Sequence, residues 1–425
     1  MIINIKSKLT NFTIYKDIMN KNIKKLLIVR ILRSLGQGIL IVNFALYLKA
    51  LHYNSMLIGI LYAFISLFNA GGSLAVGLLS DKYKRKPFLI IYTIFLFFST
   101  VILLFTTNYY FLLIASAFGS FGLSQMGGAG MFGPADIAWF SERIKARERG
   151  HILSLRNSLS AFGMSIGAMI AMLHPILAHI YHNNILSYRP FFIFIALISL
   201  ITLPILMTIK EEYKTQNLKL FEEDKQISDT DEIKICKKEN HNLKKLIFLN
   251  SINGIAIGLK GPLIAYWFAL RFNVGVELIA PILSISFFLT GILSFFTGHL
   301  TKYMGLIKLS TISRSVGVIF LFLIPIMPIY GLAAIMYILH QIFNISSAGP
   351  RQAISISLVR NKRRGFATSL DAFSMQLPRS IGPYLVGFLL DTGYFALPFI
   401  LAAGMQAIYV IYYRKLFKKY DFPDI

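Results

Sequence analysis

The chain has 425 residues and a single cysteine, Cys236, so it forms no internal disulfide and offers no cysteine cluster to a metal. Charge is scarce as well: 15% of residues carry it, where soluble domains average about 25%. Acids are the scarcer sign, with 19 Asp and Glu against 43 Lys and Arg. The missing charge leaves apolar runs of about 20 residues, each long enough to cross a hydrocarbon core of about 30 Å as a helix. With 56% hydrophobic residues and a mean hydropathy of +0.63, these runs exclude a string of soluble domains. Backbone groups in lipid must pair within their own segment, so an all-α polytopic membrane protein is predicted. No short apolar stretch with a small-residue cleavage site precedes the first run, and no cleaved signal peptide is expected.

The apolar runs predict twelve transmembrane helices, at 26–49, 55–79, 87–107, 110–140, 151–173, 189–209, 246–270, 278–300, 306–328, 330–351, 366–390 and 394–413. They divide into an N-terminal six-helix half, 26–209, and a C-terminal half, 246–413. Residues 1–25 and 414–425 form tails, and 210–245 a central loop rich in both signs of charge that reads as a solvated tether. With the N-terminus placed inside, 35 of the 43 Lys and Arg fall on one side of the membrane and three on the other. That bias predicts cytoplasmic termini and central loop in a cell (plasma) membrane protein. It explains the net charge of +24 by topology and contact with anionic lipid, which argues against nucleic acid as a partner.

The halves repeat one another. "GPADIAWFSERIKARERGHILSLRNSLSAFGMSIG" after the fourth run matches "GPRQAISISLVRNKRRGFATSLDAFSMQLPRSIGP" after the tenth. The shared Ser-Ile-Gly falls at 165–167 and 380–382, and Arg156 stands opposite Asp371. "GLLSDKYK" at 77–84 and "GHLTKYMG" at 298–305 form a second match. Two pseudo-symmetric halves are the architecture of many secondary transporters, with the solute at the midplane between them.

Residues 128–133 read G-x-G-x-x-G, the pattern of a dinucleotide turn. Such a turn needs a strand before it and an acid about 20 residues on, at the end of a second strand, and neither is present. The run from Tyr110 to Phe140 carries Asp136 as its only charge, so its glycines read as helix packing and Pro134 as a kink. Gly133-Pro134 recurs as Gly349-Pro350, a pair of candidate hinges. No catalytic group, cofactor or metal is expected, and the chain is not read as an enzyme.

"GLLSDKYKRKPFL" is similar to the loop signature of the major facilitator superfamily, matched at Gly77, Leu79, Ser80, Asp81, Lys82, Arg85, Lys86 and Leu89. "RERG", "KRRG" and "SIGPYLVG" also resemble that family; Lys84 departs from it where a second glycine is usual. The fifth run lacks the proline that the family associates with antiport. The resemblance implies a transporter working by alternating access, with helices 1, 4, 7 and 10 lining the cavity, and a monomer. It implies a cytoplasmic latch of Asp81, Arg85 and Glu142.

Ionisable residues within a span are costly, which makes each a candidate for function. In run 10, His340, Asn344, Ser347 and Arg351 share one helical face. Asn253 and Lys260 in run 7, Gln37 and Asn43 in run 1, and Gln125 in run 4 complete the substrate-cavity candidates. Asp136–Arg351 and Arg156–Asp371 are expected to pair across the halves when the cytoplasmic side is closed and to separate when it opens; the alternative is that each pairs within its own half and stabilises it. Asp136, Asp371 and His340 are the candidates for coupling to protons. The expected cargo is a small organic or drug-like solute exported with proton coupling; the alternative is uptake or facilitated diffusion of a small anion, favoured by Lys260, Arg314 and Arg351. A receptor or scaffold on a transporter fold is the reading from another class.

Overall fold

The computed structural model describes residues 21–123, 130–141, 149–210, 229–360 and 363–418. Within them the chain is helical. In the first half, span 1 is α1 (Lys21–Ala50), span 2 α2 (Ser55–Lys82) and span 3 α3 (Arg85–Phe105). Span 4 is α4 (Tyr109–Gly119) followed by α5 (Gly133–Ser141), span 5 is α6 (Arg149–Ala171) followed by α7 (His174–Tyr181), and span 6 is α8 (Arg189–Met207). In the second half, span 7 is α9 (Asp229–Lys260) followed by α10 (Ile264–Arg271), span 8 α11 (Val276–Met304) and span 9 α12 (Leu306–Leu323). Span 10 is α13 (Tyr330–Ser346) followed by α14 (Ala348–Ser357), span 11 α15 (Arg364–Arg379) followed by α16 (Ile381–Asp391), and span 12 α17 (Leu397–Phe417). Nine helical runs among the described residues are long and apolar enough to cross a membrane unaided.

The Ser-Ile-Gly repeat marks two equivalent helix crossings. Gly167 lies on Leu35 and Gly38 of α1, and a Cβ there would stand 3.0 Å from the Gly38 Cα. Gly382 lies on Gly258 and Leu259 of α9, and its Cβ would stand 2.5 Å from the Gly258 Cα. Spans 1 and 5, and spans 7 and 11, therefore meet backbone to backbone. In lipid, where apolar burial does not drive helices together, close packing of small residues does.

Span 4 is broken where a single helix with a kink at Pro134 was expected. The turn comes earlier: Ser120 (φ 54°), Gly122 (φ 64°) and Gly130 (φ 53°) are left-handed. Asn69 of α2 holds the break, donating to Ala117 O at 3.3 Å and accepting from Ser120 Oγ at 2.6 Å. A Cβ on Gly130 would collide with Ser120 Oγ and Asn69 Oδ1, so this glycine of the 128–133 pattern serves a tight backbone turn. Pro134 falls in the first turn of α5, where a missing N–H breaks no helical bond. Pro350, the third residue of α14, likewise falls in a first turn. Both Gly-Pro steps thus restart a helix.

Helix α9 also begins inside the segment expected as a solvated tether. Its 32 residues span about 48 Å, well beyond the hydrocarbon core, so its first turns project past the end that bears the termini. There Glu239 binds the link between spans 10 and 11, accepting from Arg360 N at 2.9 Å, Arg360 Nε at 3.1 Å and Arg363 Nη1 at 2.8 Å. Burial works against the Glu239 charge, yet the Arg360 backbone N–H and the Arg363 and Arg360 guanidinium groups outweigh it and hold the carboxyl below its ordinary 4.5. A lowered folded-state pKa gives stability that is complete above the unfolded value and lost as pH falls through the folded one. Glu239→Gln should therefore lower the thermal midpoint at pH 7, and the gap between variant and parent should close as pH falls below the ordinary glutamate range. Thermal unfolding measured across that range checks it.

Candidate functional site between the halves

Contacts join the halves at both ends of the bundle. At the end away from the termini, Asp391, closing span 11, accepts from the first free N–H groups of α2, Ser55 at 3.1 Å and Met56 at 3.0 Å. A carboxylate there completes the helix amino-terminus electrostatically. Ser55 Oγ and Tyr266 of α10 bond at 3.0 Å. Towards the terminal end Asn157 donates to Gln352 at 3.2 Å, Gly77 lies on Ser369, and Gly349 on Ser154.

Between these contacts lies a cavity of about 260 Å³, lined by both halves. Five arginines line it: Arg30, Arg156, Arg314, Arg351 and Arg379. Asp371 is the single acid of the lining among the described residues.

In the first half, Asp136 is spanned by two guanidinium groups, Arg30 at 3.1 Å and Arg156. Arg30 also donates to Ser160 at 2.6 Å. In the second half, Asp371 accepts from the neutral donors Asn250, at 2.7 Å, and Ser355, at 3.1 Å. Arg30 and Asn250 each lie eight residues before the glycine at the equivalent crossing, Gly38 or Gly258, so they hold corresponding places. One fold position is charged in the first half and neutral in the second. The expected cross-half pairs Asp136–Arg351 and Arg156–Asp371 are not formed: each acid is satisfied within its own half, because residues on neighbouring spans reach it first.

Two of the lining arginines of the second half, Arg314 and Arg379, are each held by one arm. Arg314 donates to Asn253 at 3.0 Å and stacks over Tyr409, 4.6 Å from the ring centroid. Arg379 reaches across to Leu123 O of the first half at 2.5 Å. Tyr409 and Tyr413, themselves stacked at 5.3 Å, continue the wall.

Of the residues expected in the cavity, Asn344 and Arg351 line it. Gln37, Asn43, Asn253, Lys260 and His340 are buried but lie outside the lining. His340 Nδ1 faces Gly317 O at 2.6 Å, which requires a proton on that nitrogen and leaves Nε2 to accept from Lys260. The pair closes on itself and fastens span 7 to span 10. Gln125, Glu142 and the side chain of Asp81 lie outside the described residues, and with them most of the expected latch. Arg85, its remaining member, opens α3. Arg30 was legible only as one of the basic residues flanking span 1; its place inside an apolar run, one turn from Arg33, was the available signal.

No curated protein matches the chain. Among solved structures, a D-xylose–proton symporter superimposes with a TM-score of 0.71 at 14% identity, covering 93% of this chain and 98% of the other. The xylose transporter XylE from E. coli in a partially occluded inward-open conformation gives 0.67 at 14%, with the same coverage. The transporter FucP in its outward conformation gives 0.66 at 15%, covering 93% and 98%. These likenesses establish the fold. Residues 26–244 and 246–423, both halves in turn, match the Major Facilitator Superfamily, and the chain belongs to that family of membrane transporters.

Proposed function

We propose that this protein carries a small anion across the cell membrane by alternating access between its two halves, with both termini inside the cell. The basic lining of the cavity carries this reading. Five guanidinium groups face one lining carboxylate, and the second carboxylate, Asp136, is already shared by Arg30 and Arg156. A cavity with surplus fixed positive charge in a low-dielectric wall concentrates anions and repels cations. That balance favours the anion over export of a lipophilic drug-like solute. Arg351 and Asn344 of span 10, with Arg314 and Arg379, supply the donors.

Of the three candidates for proton uptake, Asp371 has the best support. It is held by neutral donors, whereas Asp136 is bracketed by two arginines and His340 is engaged at both ring nitrogens. The second reading, a neutral sugar carried with a proton, is supported by likeness to the xylose–proton symporter and by the amides of Asn69, Asn250 and Gln376 in the lining.

Thermal-shift and vesicle-uptake measurements with inorganic phosphate, succinate, D-xylose and a lipophilic cation separate these readings. An anion should stabilise the protein and be taken up, and Arg351→Gln should reduce that uptake about tenfold or more, the value of one charge-assisted hydrogen bond. Response to D-xylose alone, or to the cation alone, overturns the anion reading.

A further inference from the structure

We infer that the loaded cavity switches between the two sides of the membrane much faster than the empty one, so that the dominant activity is counterflow, an anion moving in as an anion moves out. The inference rests on the anion reading and on how the protein's own groups partner the arginines. Among the described residues, Arg156 Nη1 and the Nε atoms of Arg314, Arg351 and Arg379 are buried without a hydrogen-bond acceptor. Arg156 is paired with Asp136 through its other arm, whereas Arg314, Arg351 and Arg379 belong to the second half, where Asp371 is the one lining carboxylate among the described residues and is already engaged by Asn250 and Ser355.

Alternating access must pass through a state closed at both ends. In that state the cavity is cut off from bulk water, and each uncompensated buried charge is strongly unfavourable. A lysine or histidine carrier escapes this by releasing its proton; a guanidinium group does not do so at physiological pH. Proton uptake by Asp371 removes negative charge and leaves the cavity more positive still. A bound anion is therefore what compensates the cluster during the crossing. The energy it contributes is available to the loaded protein and absent from the empty one, which is the condition for a slow empty return. Counterflow of this kind arises from charge in the cavity and does not depend on the proline missing from span 5.

The test uses the full-length protein in vesicles prepared in sucrose and a zwitterionic buffer, with labelled phosphate or succinate supplied outside. Vesicles preloaded with the same unlabelled anion should take up label at least about tenfold faster than vesicles containing buffer alone. At a preload high enough to saturate the variant, Arg351→Gln should bring that ratio towards one, a change that weakened binding does not produce at saturation. Equal uptake into loaded and unloaded vesicles overturns counterflow while leaving the anion reading in place. Failure of both anions to enter or to shift the thermal midpoint, with D-xylose active, overturns both.

Discussion

Replacing Asp136 with asparagine should abolish transport and destabilise the protein, because it leaves Arg30 and Arg156 side by side in a buried site with no acid between them. Removing one partner of a buried ion pair typically costs about 3–5 kcal/mol, since the remaining charge has lost both water and its counter-ion. Here one carboxylate serves two guanidinium groups, so the loss falls at the upper end of that range. The expected observations are a fall in the thermal midpoint and a loss of monodisperse protein in detergent. Adding Arg156→Gln to Asp136→Asn removes one of the two orphaned charges and should restore part of the midpoint. By contrast, the exchange Arg156→Asp with Asp371→Arg should rescue nothing, because these two residues do not meet. A stable Asp136→Asn protein would show that the two arginines are compensated elsewhere.

The second large effect is expected at the crossing glycines. Gly382→Ala places a methyl group against Gly258 and Leu259 backbone, and Gly167→Ala does the same against Leu35 and Gly38. Backbone cannot turn aside as a side chain can, so spans 7 and 11, or 1 and 5, must separate along their length. Overpacking of a well-filled interior costs about 1–3 kcal/mol, occasionally more. Both variants should accumulate poorly and unfold early. Gly404→Ala in span 12 meets nothing within 4 Å and should behave as the parent protein, which makes it the control for general effects of glycine replacement. Equal behaviour of all three variants would mean that the crossings are looser than described.

The twelve spans and the two halves were readable because both are one-dimensional signals: hydropathy runs in blocks of helical length, and the Ser-Ile-Gly steps recur in register. The repeat was readable before its cause, the paired crossings at Gly167 and Gly382. The site was less legible. Pro134 drew attention as the expected kink, but the chain turns at Ser120 and Gly130, where left-handed backbone and the Asn69 side chain decide. Arg30 stood with the topological charges although it grips Asp136, since nothing local in span 1 shows what span 4 presents to it. The helical stripe in span 10 put His340 and Arg351 on one face; depth along that face then separated them, Arg351 lining the cavity and His340 buried against Gly317 and Lys260.

The clamp at Glu239 also bears on how movement of this protein can be watched. Cys236 sits one turn before Glu239 on the same projecting helix, within 3.3 Å of Arg360 Nη2, and it is the chain's only thiol. Because Arg360 and Arg363 tie that turn to the second half, a spin label or fluorophore on the native cysteine travels with that half as one piece. One engineered cysteine on the first half then completes a ruler between them, with no native thiol to remove.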